Sequence, residues 1–336
     1  MKIEYKKKYF ITGGLGFIGS NFVQLCLDKK YQVVNIDRCG YASNIKNNKI
    51  FREYKNYKFF KVNIGNKKKI SQLLLKYKPD FVVNFAAETH VDNSITSPLR
   101  FIKNNINDYV NFLESIKILF NRMNSEKQKK FRIIHISTDE VYGSLNIKDK
   151  SFIEKDKFFP NSPYSASKAS SDLLSRAWFK TFNLPIITTN CSNNYGKFQN
   201  KEKFIPKIIL NILKNKNIPV YADGKNIREW LHVTDHCTAI QHIIKYGKIG
   251  ESYNIGSQFN CSNINLVKKI CNIIDRKLKK KVSTKKLITF VEDRKAHDFR
   301  YSVDYSKLRR LKWKPKINFN KGLNNTINWY FKNYYE

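Results

Sequence analysis

Hydrophobic and polar positions alternate in blocks through the first 190 residues of the chain. Short apolar runs rich in β-branched residues predict strands at 9–12, 32–37, 58–63, 81–85, 132–137 and 186–190. Segments with a helical period lie between them and predict helices at 20–29, 67–77, 98–120 and 165–182. Buried strands that alternate with helices are typical of a parallel sheet covered on both faces. The pattern therefore predicts an α/β fold with a doubly wound parallel sheet.

The pattern changes after Cys191, where loops lengthen and Pro and Asn become more frequent. We interpret residues 191–336 mainly as a smaller substrate-binding lobe that covers the carboxyl edge of the sheet. Open α/β sheets bind their ligands at that edge. Segment 228–248 has the pattern of a strand and a helix that return to the first domain, residues 1–190.

Four of the 13 glycines lie within residues 13–19, between the first predicted strand and the first predicted helix. Gly13, Gly16 and Gly19 permit a tight turn and a close approach of backbone to a dinucleotide pyrophosphate. The helix that follows supplies free N–H groups and a partial positive charge. A plain tight turn is the alternative interpretation, but the strand–turn–helix context favours a Rossmann-type cofactor site.

Asp37 ends the second predicted strand, 18 residues after Gly19. A carboxylate at this point of a dinucleotide fold accepts hydrogen bonds from the adenosine ribose and repels a 2′-phosphate. The sequence therefore favours NAD over NADP as the cofactor. Arg38 beside it leaves NADP open, and Asp37 taken alone could equally be a capping residue.

Two acids, Asp139 and Glu140, follow an apolar strand and Ser137-Thr138. Carboxylates at the end of a buried strand are costly unless they have partners or a chemical task. Alternation along an extended chain would send the two side chains in different directions. The pair could therefore act as acid and base on opposite sides of a substrate, with helix capping as the alternative.

Tyr164 and Lys168 stand four residues apart on a predicted helix and so share one face. A neighbouring ammonium and a nicotinamide cation favour the phenolate and lower the tyrosine pKa from about 10. The pair would then be a base for a sugar hydroxyl. This spacing is weak by itself in a chain rich in Tyr and Lys, but it gains weight after the glycine loop and Thr138.

The net charge of the chain does not change this interpretation of the motifs. Lys and Arg total 63 against 27 acids, a net charge of +36, yet the basic clusters are scattered and no nucleic-acid-binding motif accompanies them. We therefore expect a solvated basic surface and no nucleic-acid partner. The apolar runs are too short for a membrane span and no signal-peptide pattern is present, which predicts a cytoplasmic protein with reduced cysteines. His232, His236 and Cys237 allow a zinc site, but their neighbours indicate an ordinary strand-to-helix entry, so no metal is expected.

Together these motifs resemble the extended short-chain dehydrogenase/reductases, and among them the nucleotide-sugar 4,6-dehydratases. The resemblance covers nearly the whole chain and is carried by segments 12–20, 86–92, 137–143, 164–168, 191–196, 202–206, 223–225, 228–231, 253–256 and 293–298. The acid pair after Thr138 is the discriminating piece, because related epimerases lack both acids. The resemblance implies a homodimer built from paired helices.

The resemblance also implies a reaction in three parts on a glucose nucleotide, with dTDP-glucose favoured and UDP-glucose open. Tyr164, helped by Lys168 and Thr138, takes the 4-hydroxyl proton while hydride passes from C4 to NAD. Glu140 then removes the C5 proton as Asp139 protonates the leaving 6-hydroxyl, and hydride returns to C6. A UDP-sugar epimerase or decarboxylase is less favoured, because neither needs both acids.

The site residues implied by the resemblance fall in two sets. The cofactor contacts correspond to Gly13, Gly16, Phe17, Ile18, Gly19, Asp37, Asn63, Ile64, Phe85, Ala86, Ala87, Asn104, Tyr164, Lys168 and Asn194. The sugar-nucleotide contacts correspond to Thr89, Thr138, Asn193, Lys203, Phe204, Tyr221, Arg228, Asn263, Arg294 and His297. Among these, the cations suit a diphosphate, Arg especially, because its fork binds two oxygens.

Several positions depart from the family pattern. Asn63 stands where an acid usually contacts adenine, Asn104 replaces a threonine, and 107–108 replace a small apolar pair. Ala222 and Ala296 replace glycines, and the segment after Gly143 is short. These departures bear on cofactor affinity and on the nucleotide base more than on the chemistry.

Overall fold

Seven parallel strands form the central sheet in the computed structural model, which describes residues 7–334. The strands of all three sheets, in chain order, are β1 (Lys8–Thr12), β2 (Gln32–Asp37), β3 (Tyr57–Lys61), β4 (Phe81–Asn84), β5 (Arg132–Thr138), β6 (Ile186–Cys191), β7 (Asn193–Tyr195), β8 (Ile218–Tyr221), β9 (Ile227–His232), β10 (Ser252–Ile255), β11 (Asn260–Ser262) and β12 (Ile288–Val291). The sheet order is β10-β6-β5-β4-β1-β2-β3. The predicted doubly wound parallel sheet is confirmed.

The chain reverses direction across the sheet beside β1. It runs outward from β1 to β2 and β3, and then returns to build β4, β5 and β6 on the other side. Connections on the two sides of such a switch point diverge, and this opens a crevice at the carboxyl ends of the strands. The topology therefore places a ligand site above β1 and β4.

Helices cover both faces of this sheet, and further helices belong to the later part of the chain. They are α1 (Phe17–Asp28), α2 (Ile45–Phe51), α3 (Lys67–Tyr77), α4 (Val91–Thr96), α5 (Pro98–Ile102), α6 (Asp108–Asn121), α7 (Ser125–Lys130), α8 (Pro163–Phe182), α9 (Phe204–Leu213), α10 (Val233–Tyr246), α11 (Asn263–Lys277), α12 (Ser306–Arg310) and α13 (Phe319–Tyr334). Successive strand residues enter opposite cores, as a period of two requires. Ile11 packs with α1 and α10, whereas Phe10 packs with α3 and α6.

Two elements differ from their predicted form. The predicted helix 98–120 is divided by a π-helical turn at Lys103–Asn107. A seventh strand, β10, pairs with β6 although its four residues had no pattern that distinguished them from a loop. A strand this short is defined by its pairing and not by its own periodicity.

The later part of the chain has its own apolar core. Strands β7, β9 and β11 form a three-stranded sheet, and β8 pairs with β12. Helices α9, α11 and α13 supply buried residues such as Ile209, Leu266 and Ile327. Within 228–248, β9 pairs with β7 and β11, while α10 packs against α1. The division of the chain at residue 190 stays a prediction.

No helix within residues 7–334 is both long and apolar enough to cross a membrane.

Candidate active site

A cavity runs along the carboxyl edge of the central sheet, across the switch point beside β1. All the residues predicted to contact the cofactor line this cavity, as do Thr138, Asp139 and Glu140. Of the predicted sugar-nucleotide contacts, Thr89, Asn193 and Lys203 line it as well. The others do not belong to its lining: Phe204, Tyr221, Arg228, Asn263, Arg294 and His297.

The glycine loop between β1 and α1 packs so closely against backbone that two of its glycines have no room for a side chain. Gly13 has a left-handed φ of +68°, and a Cβ there would lie 2.7 Å from the backbone nitrogen of Ala86. A Cβ on Gly19 would lie 2.2 Å from the Gly13 carbonyl oxygen. The loop therefore packs backbone on backbone at the start of α1, where free N–H groups and the helix dipole favour a phosphate group.

Asp37 lies at the end of β2, and its carboxylate is already held by its surroundings. Its Oδ2 accepts a 3.0 Å hydrogen bond from the Leu15 backbone, and its Oδ1 accepts bonds from Cys39 N at 2.8 Å and Ser43 Oγ at 2.7 Å. A carboxylate has about four acceptor sites, so it can still receive a ribose hydroxyl. Sequence reasoning missed Ser43, which lies in a loop without a motif.

Arg38 is committed to protein partners. Its guanidinium forms an ion pair with the buried Glu88 carboxylate and a hydrogen bond with the Asn104 side chain. Arg100 also donates to Glu88 Oε1, at 2.9 Å. The charge of Arg38 is thus compensated inside the protein, so its presence beside Asp37 does not argue for a ligand with an added phosphate.

Tyr164 and Lys168 lie on the first turns of α8, which begins with a capping box formed by Ser162 and Ser165. The Lys168 ammonium is buried and donates a 2.8 Å hydrogen bond to the Ile136 carbonyl oxygen of β5. Burial lowers the pKa of Lys168, and the charge of Asp172 opposes that effect. The helix therefore fixes Lys168 against the strand that leads to the acid pair.

The protein groups around Tyr164 raise its pKa. Burial is the largest cause, the charge of Glu140 adds to it, and a hydrogen bond with Thr138 acts in the opposite direction. These groups alone therefore act against the lowering predicted from Lys168. The predicted effect of a nicotinamide cation is separate, because a positive charge next to the phenol would favour its ionised form.

The acid pair does not continue the strand, as the extended-chain argument assumed. Residues Asp139–Tyr142 form a 3-10 turn, and Thr138 caps it by accepting a hydrogen bond from the Glu140 backbone at 3.3 Å. The helix-capping alternative therefore describes Thr138 and not the acids. A tight turn projects successive side chains to different sides, so the two carboxyls still diverge, but for another reason.

Burial raises the pKa of both acids, with different neighbours. Asp139 is 2% exposed, and the charges of Glu140 and Glu229 raise its pKa further. For Glu140, three cations oppose the effect of burial: Arg294, Arg228 and Lys203. Both carboxyls are therefore shifted toward the protonated form, Asp139 more than Glu140, whose neighbouring cations offset part of the effect of burial. One acid and one base in the same cavity are what elimination of water needs.

The cations near Glu140 come from the later part of the chain. Lys203, just before α9, donates a 2.8 Å hydrogen bond to the Thr89 carbonyl oxygen. Arg228 on β9 is 7% exposed, stacks over the Tyr301 ring at 4.4 Å and donates to the Asp298 carbonyl at 3.0 Å. Tyr301 was missed because nothing in its local sequence marks it as part of a site.

A second group of predicted substrate residues gathers around Asp92, next to the cavity. The Tyr221 hydroxyl lies 3.4 Å from Asp92 Oδ2, and Arg294 Nη1 lies 3.8 Å from Oδ1. The His297 ring is 5.8 Å from the Tyr221 ring. By contrast, Phe204 stacks on Trp230 and the Asn263 backbone bonds to Asn226, so neither belongs to this group.

The histidines considered for zinc have other partners. His236 Nδ1 lies 3.0 Å from Asn194 Oδ1, and His232 Nδ1 accepts from the Thr234 backbone at 3.2 Å. Within residues 7–334 no group of three His, Cys, Asp or Glu side chains could hold a metal ion. All six cysteines are unpaired.

Comparison with known proteins gives matches over nearly the whole chain. A family model described as GDP-mannose 4,6 dehydratase matches residues 10–326. The chain is similar to a dTDP-glucose 4,6-dehydratase of Neisseria meningitidis serogroup B, with 45% identity over 97% of this chain and 94% of the relative. It also matches a dTDP-glucose 4,6-dehydratase structure from Streptomyces venezuelae solved with NAD bound, at a TM-score of 0.87 and 36% identity over 97% of each chain. A structure from Bacillus anthracis in complex with NAD gives 0.86 and 38% over 98% of each chain.

Proposed function

This chain belongs to the dTDP-glucose 4,6-dehydratase family, and we propose that it converts dTDP-glucose into dTDP-4-keto-6-deoxyglucose and water with NAD as a recycled cofactor. The main support for this proposal is that two pairs of acid–base residues line the same cavity. Tyr164 with Lys168 serves an oxidation at C4, and Asp139 with Glu140 serves an elimination. An epimerase needs only the first system.

The residues of the cavity fit a dinucleotide. The loop leaves no space for a Cβ at Gly13 or Gly19, and Asp37 retains acceptor capacity one strand away. Because Arg38 is paired with Glu88, its charge does not favour NADP over NAD. When bound, NAD supplies a reversible two-electron acceptor for the sugar.

The protein groups then act in order on the hexose. Tyr164 takes the 4-hydroxyl proton as C4 becomes a ketone, with Thr138 bonded to the phenol. The new ketone acidifies the C5 proton, which Glu140 removes, while the protonated Asp139 gives its proton to the departing 6-hydroxyl. The two electrons lost at C4 are regained at C6 and a proton returns to C5, so the net change is loss of one water.

Recognition of the nucleotide rests on the cations from the later part of the chain. We propose that Arg228, Arg294 and Lys203 bind the diphosphate, since they already act electrostatically on Glu140. Guanidinium groups bind phosphate oxygens in pairs and keep their charge when buried. The same cations favour the ionised form of the proposed base.

The test is incubation of the purified protein with dTDP-glucose and UDP-glucose in separate reactions. A 4-keto sugar absorbs in alkali, and we expect this absorbance to develop much faster with dTDP-glucose. Equal rates with both nucleotides would contradict the dTDP preference. No product from either would contradict the dehydratase function itself.

We also propose that the protein is a homodimer that uses α5 and α8. Leu99 is 82% exposed on α5, and Leu173 is 58% exposed on the adjacent α8. Apolar side chains of this size on neighbouring helices fit a second copy of the same surface. Light scattering should give twice the mass of the chain, and Leu99→Asp should give the single mass, whereas Ile147→Asp, at another exposed apolar position, should not.

A cytoplasmic location is proposed because all six cysteines are unpaired, which suits a reducing compartment. Cell fractionation followed by detection of the protein tests this location.

A further inference from the structure

The end of the cavity beyond Asp37 is where the adenine of a dinucleotide would lie. The glycine loop and Asp37 follow β1 and β2, and β3 is the next strand outward in the sheet. A dinucleotide with its pyrophosphate at α1 and its ribose at Asp37 therefore carries its base toward the end of β3. Asn63 and Ile64, which follow β3, line this end of the cavity.

The π-helical turn at Lys103–Asn107 faces the same end. This turn and Asp108, the first residue of α6, direct three polar side chains toward three different loops: Asn105 bonds to the Glu88 backbone, Asn104 to Arg38, and Asp108 to Asn63. A π-helical turn adds one residue to a helix and changes which side chains face a neighbour, and such turns are frequent at functional sites. Asp108 and Asn104 both line the cavity.

The Asp108 carboxylate is buried but only partly used. It is 8% exposed, and its Oδ2 accepts a 3.0 Å hydrogen bond from Asn63 Nδ2. Asn63 is held at both ends, because its Oδ1 accepts from the Gly65 backbone at 2.8 Å. Within residues 7–334 the carboxylate accepts no hydrogen bond besides the one from Asn63, so most of its acceptor capacity is free.

The second oxygen of this carboxylate lies close to Gly65. A Cβ at residue 65 would lie 2.2 Å from Asp108 Oδ1. The loop after β3 therefore carries a glycine at the point where Asp108 enters it. The end of the cavity where the base would lie is thus formed by three residues in mutual contact: Asn63, Gly65 and Asp108.

We propose that Asp108 selects adenine as the base of the cofactor, by accepting a hydrogen bond from the 6-amino group at its free carboxylate oxygen. A carboxylate is an acceptor only, so a purine with a carbonyl at position 6 would place two acceptors against each other. Asn63, to which Asp108 bonds, follows β3, and β3 lies four strands from β5, which leads to the acid pair. In this proposal Asp108 therefore acts on binding alone. The inference rests on the proposed use of NAD.

The experiment compares two dinucleotides on the protein freed of cofactor: NAD and nicotinamide hypoxanthine dinucleotide, which has a carbonyl in place of the amino group. Binding is followed by calorimetry or by quenching of protein fluorescence, without substrate. We expect the wild-type protein to bind NAD at least about tenfold more tightly, the scale of one lost buried hydrogen bond. Asp108→Asn should reduce the ratio to within about threefold, because an amide can turn to donate or to accept.

The matched control is Glu114→Gln, which removes an acid from the same helix α6 outside the cavity lining. It should keep the wild-type ratio. If Asp108→Asn keeps that ratio as well, the inference is wrong. The wild-type protein tests the proposal even if the variant does not fold. Equal affinity of the wild-type protein for the two dinucleotides would contradict selection of adenine. A protein that binds neither contradicts the use of NAD and this inference with it.

Discussion

Nε2 of His135 lies 3.3 Å from Oδ1 of Asp172, with both side chains buried. The Thr12 hydroxyl donates to Asn84 Oδ1, so Asn84 Nδ2 donates to His135 Nδ1. Nε2 also lies 3.1 Å from the Ser171 hydroxyl and 3.4 Å from the Lys168 ammonium. Burial and then the charge of Lys168 lower the pKa of His135 to about 4, so a neutral imidazole lies next to both the Lys168 ammonium and Asp172.

This arrangement predicts the effect of Asp172→Asn. The Asp172 charge raises the pKa of Lys168 against the effect of burial. Without it, Lys168 loses its proton at lower pH, and Tyr164 loses the ammonium proposed to support it. We expect the basic limb of the pH–rate profile to move to lower pH. An unchanged limb would show that Asp172 does not support the charge of Lys168.

The acid pair predicts that oxidation and elimination can be separated. Glu140→Gln and Asp139→Asn should each slow dehydration by roughly 10²-fold or more. Tyr164→Phe should block the first oxidation, so that no reduced nicotinamide forms. Stopped-flow absorbance of reduced nicotinamide and assay of the keto product distinguish these outcomes. Glu126→Gln, an exposed acid on α7, is the matched control; full dehydratase activity in Glu140→Gln would contradict its role as the base.

The glycine loop predicts unequal effects of two alanine substitutions. Gly13→Ala places a Cβ at a left-handed φ and against the Ala86 backbone, and should destabilise the protein by about 2 kcal/mol or more and weaken NAD binding. Gly16→Ala has a φ of −72° and a nearest neighbour at 3.2 Å, so its loss should be smaller. Urea denaturation with and without NAD measures both. Equal losses would show that backbone conformation is not the cause.

His236 predicts a loss of stability in acid. Burial lowers its pKa from 6.5 to about 3. As the pH falls, His236 is therefore protonated near pH 6.5 in the unfolded chain but only near pH 3 in the folded protein. Stability from this group is therefore present above pH 6.5 and is lost as the pH falls. Between pH 7 and pH 5 the loss should be about 2 kcal/mol. His236→Gln should lose less between these two pH values in urea denaturation, and an identical loss would exclude His236 as its source.

The fold and the local motifs were predictable because each is a short-range property. Strand and helix periods, a turn rich in glycine and a Tyr–Lys pair one helical turn apart involve residues near each other in the chain. The predicted cofactor residues consequently all line one cavity. The turn at Asp139–Tyr142 shows the limit, since the end of a strand could not be located to the residue from its apolar pattern.

By itself, then, the sequence determined the parallel sheet, the place of the glycine loop and the residue types available for chemistry. Only the tertiary structure decided which charges meet. It paired Arg38 with Glu88, placed Arg228 and Arg294 near Glu140, and joined Asp108 to Asn63. These contacts join residues between 45 and 154 positions apart. No local period carries information about such pairs, because packing of whole elements brings them together.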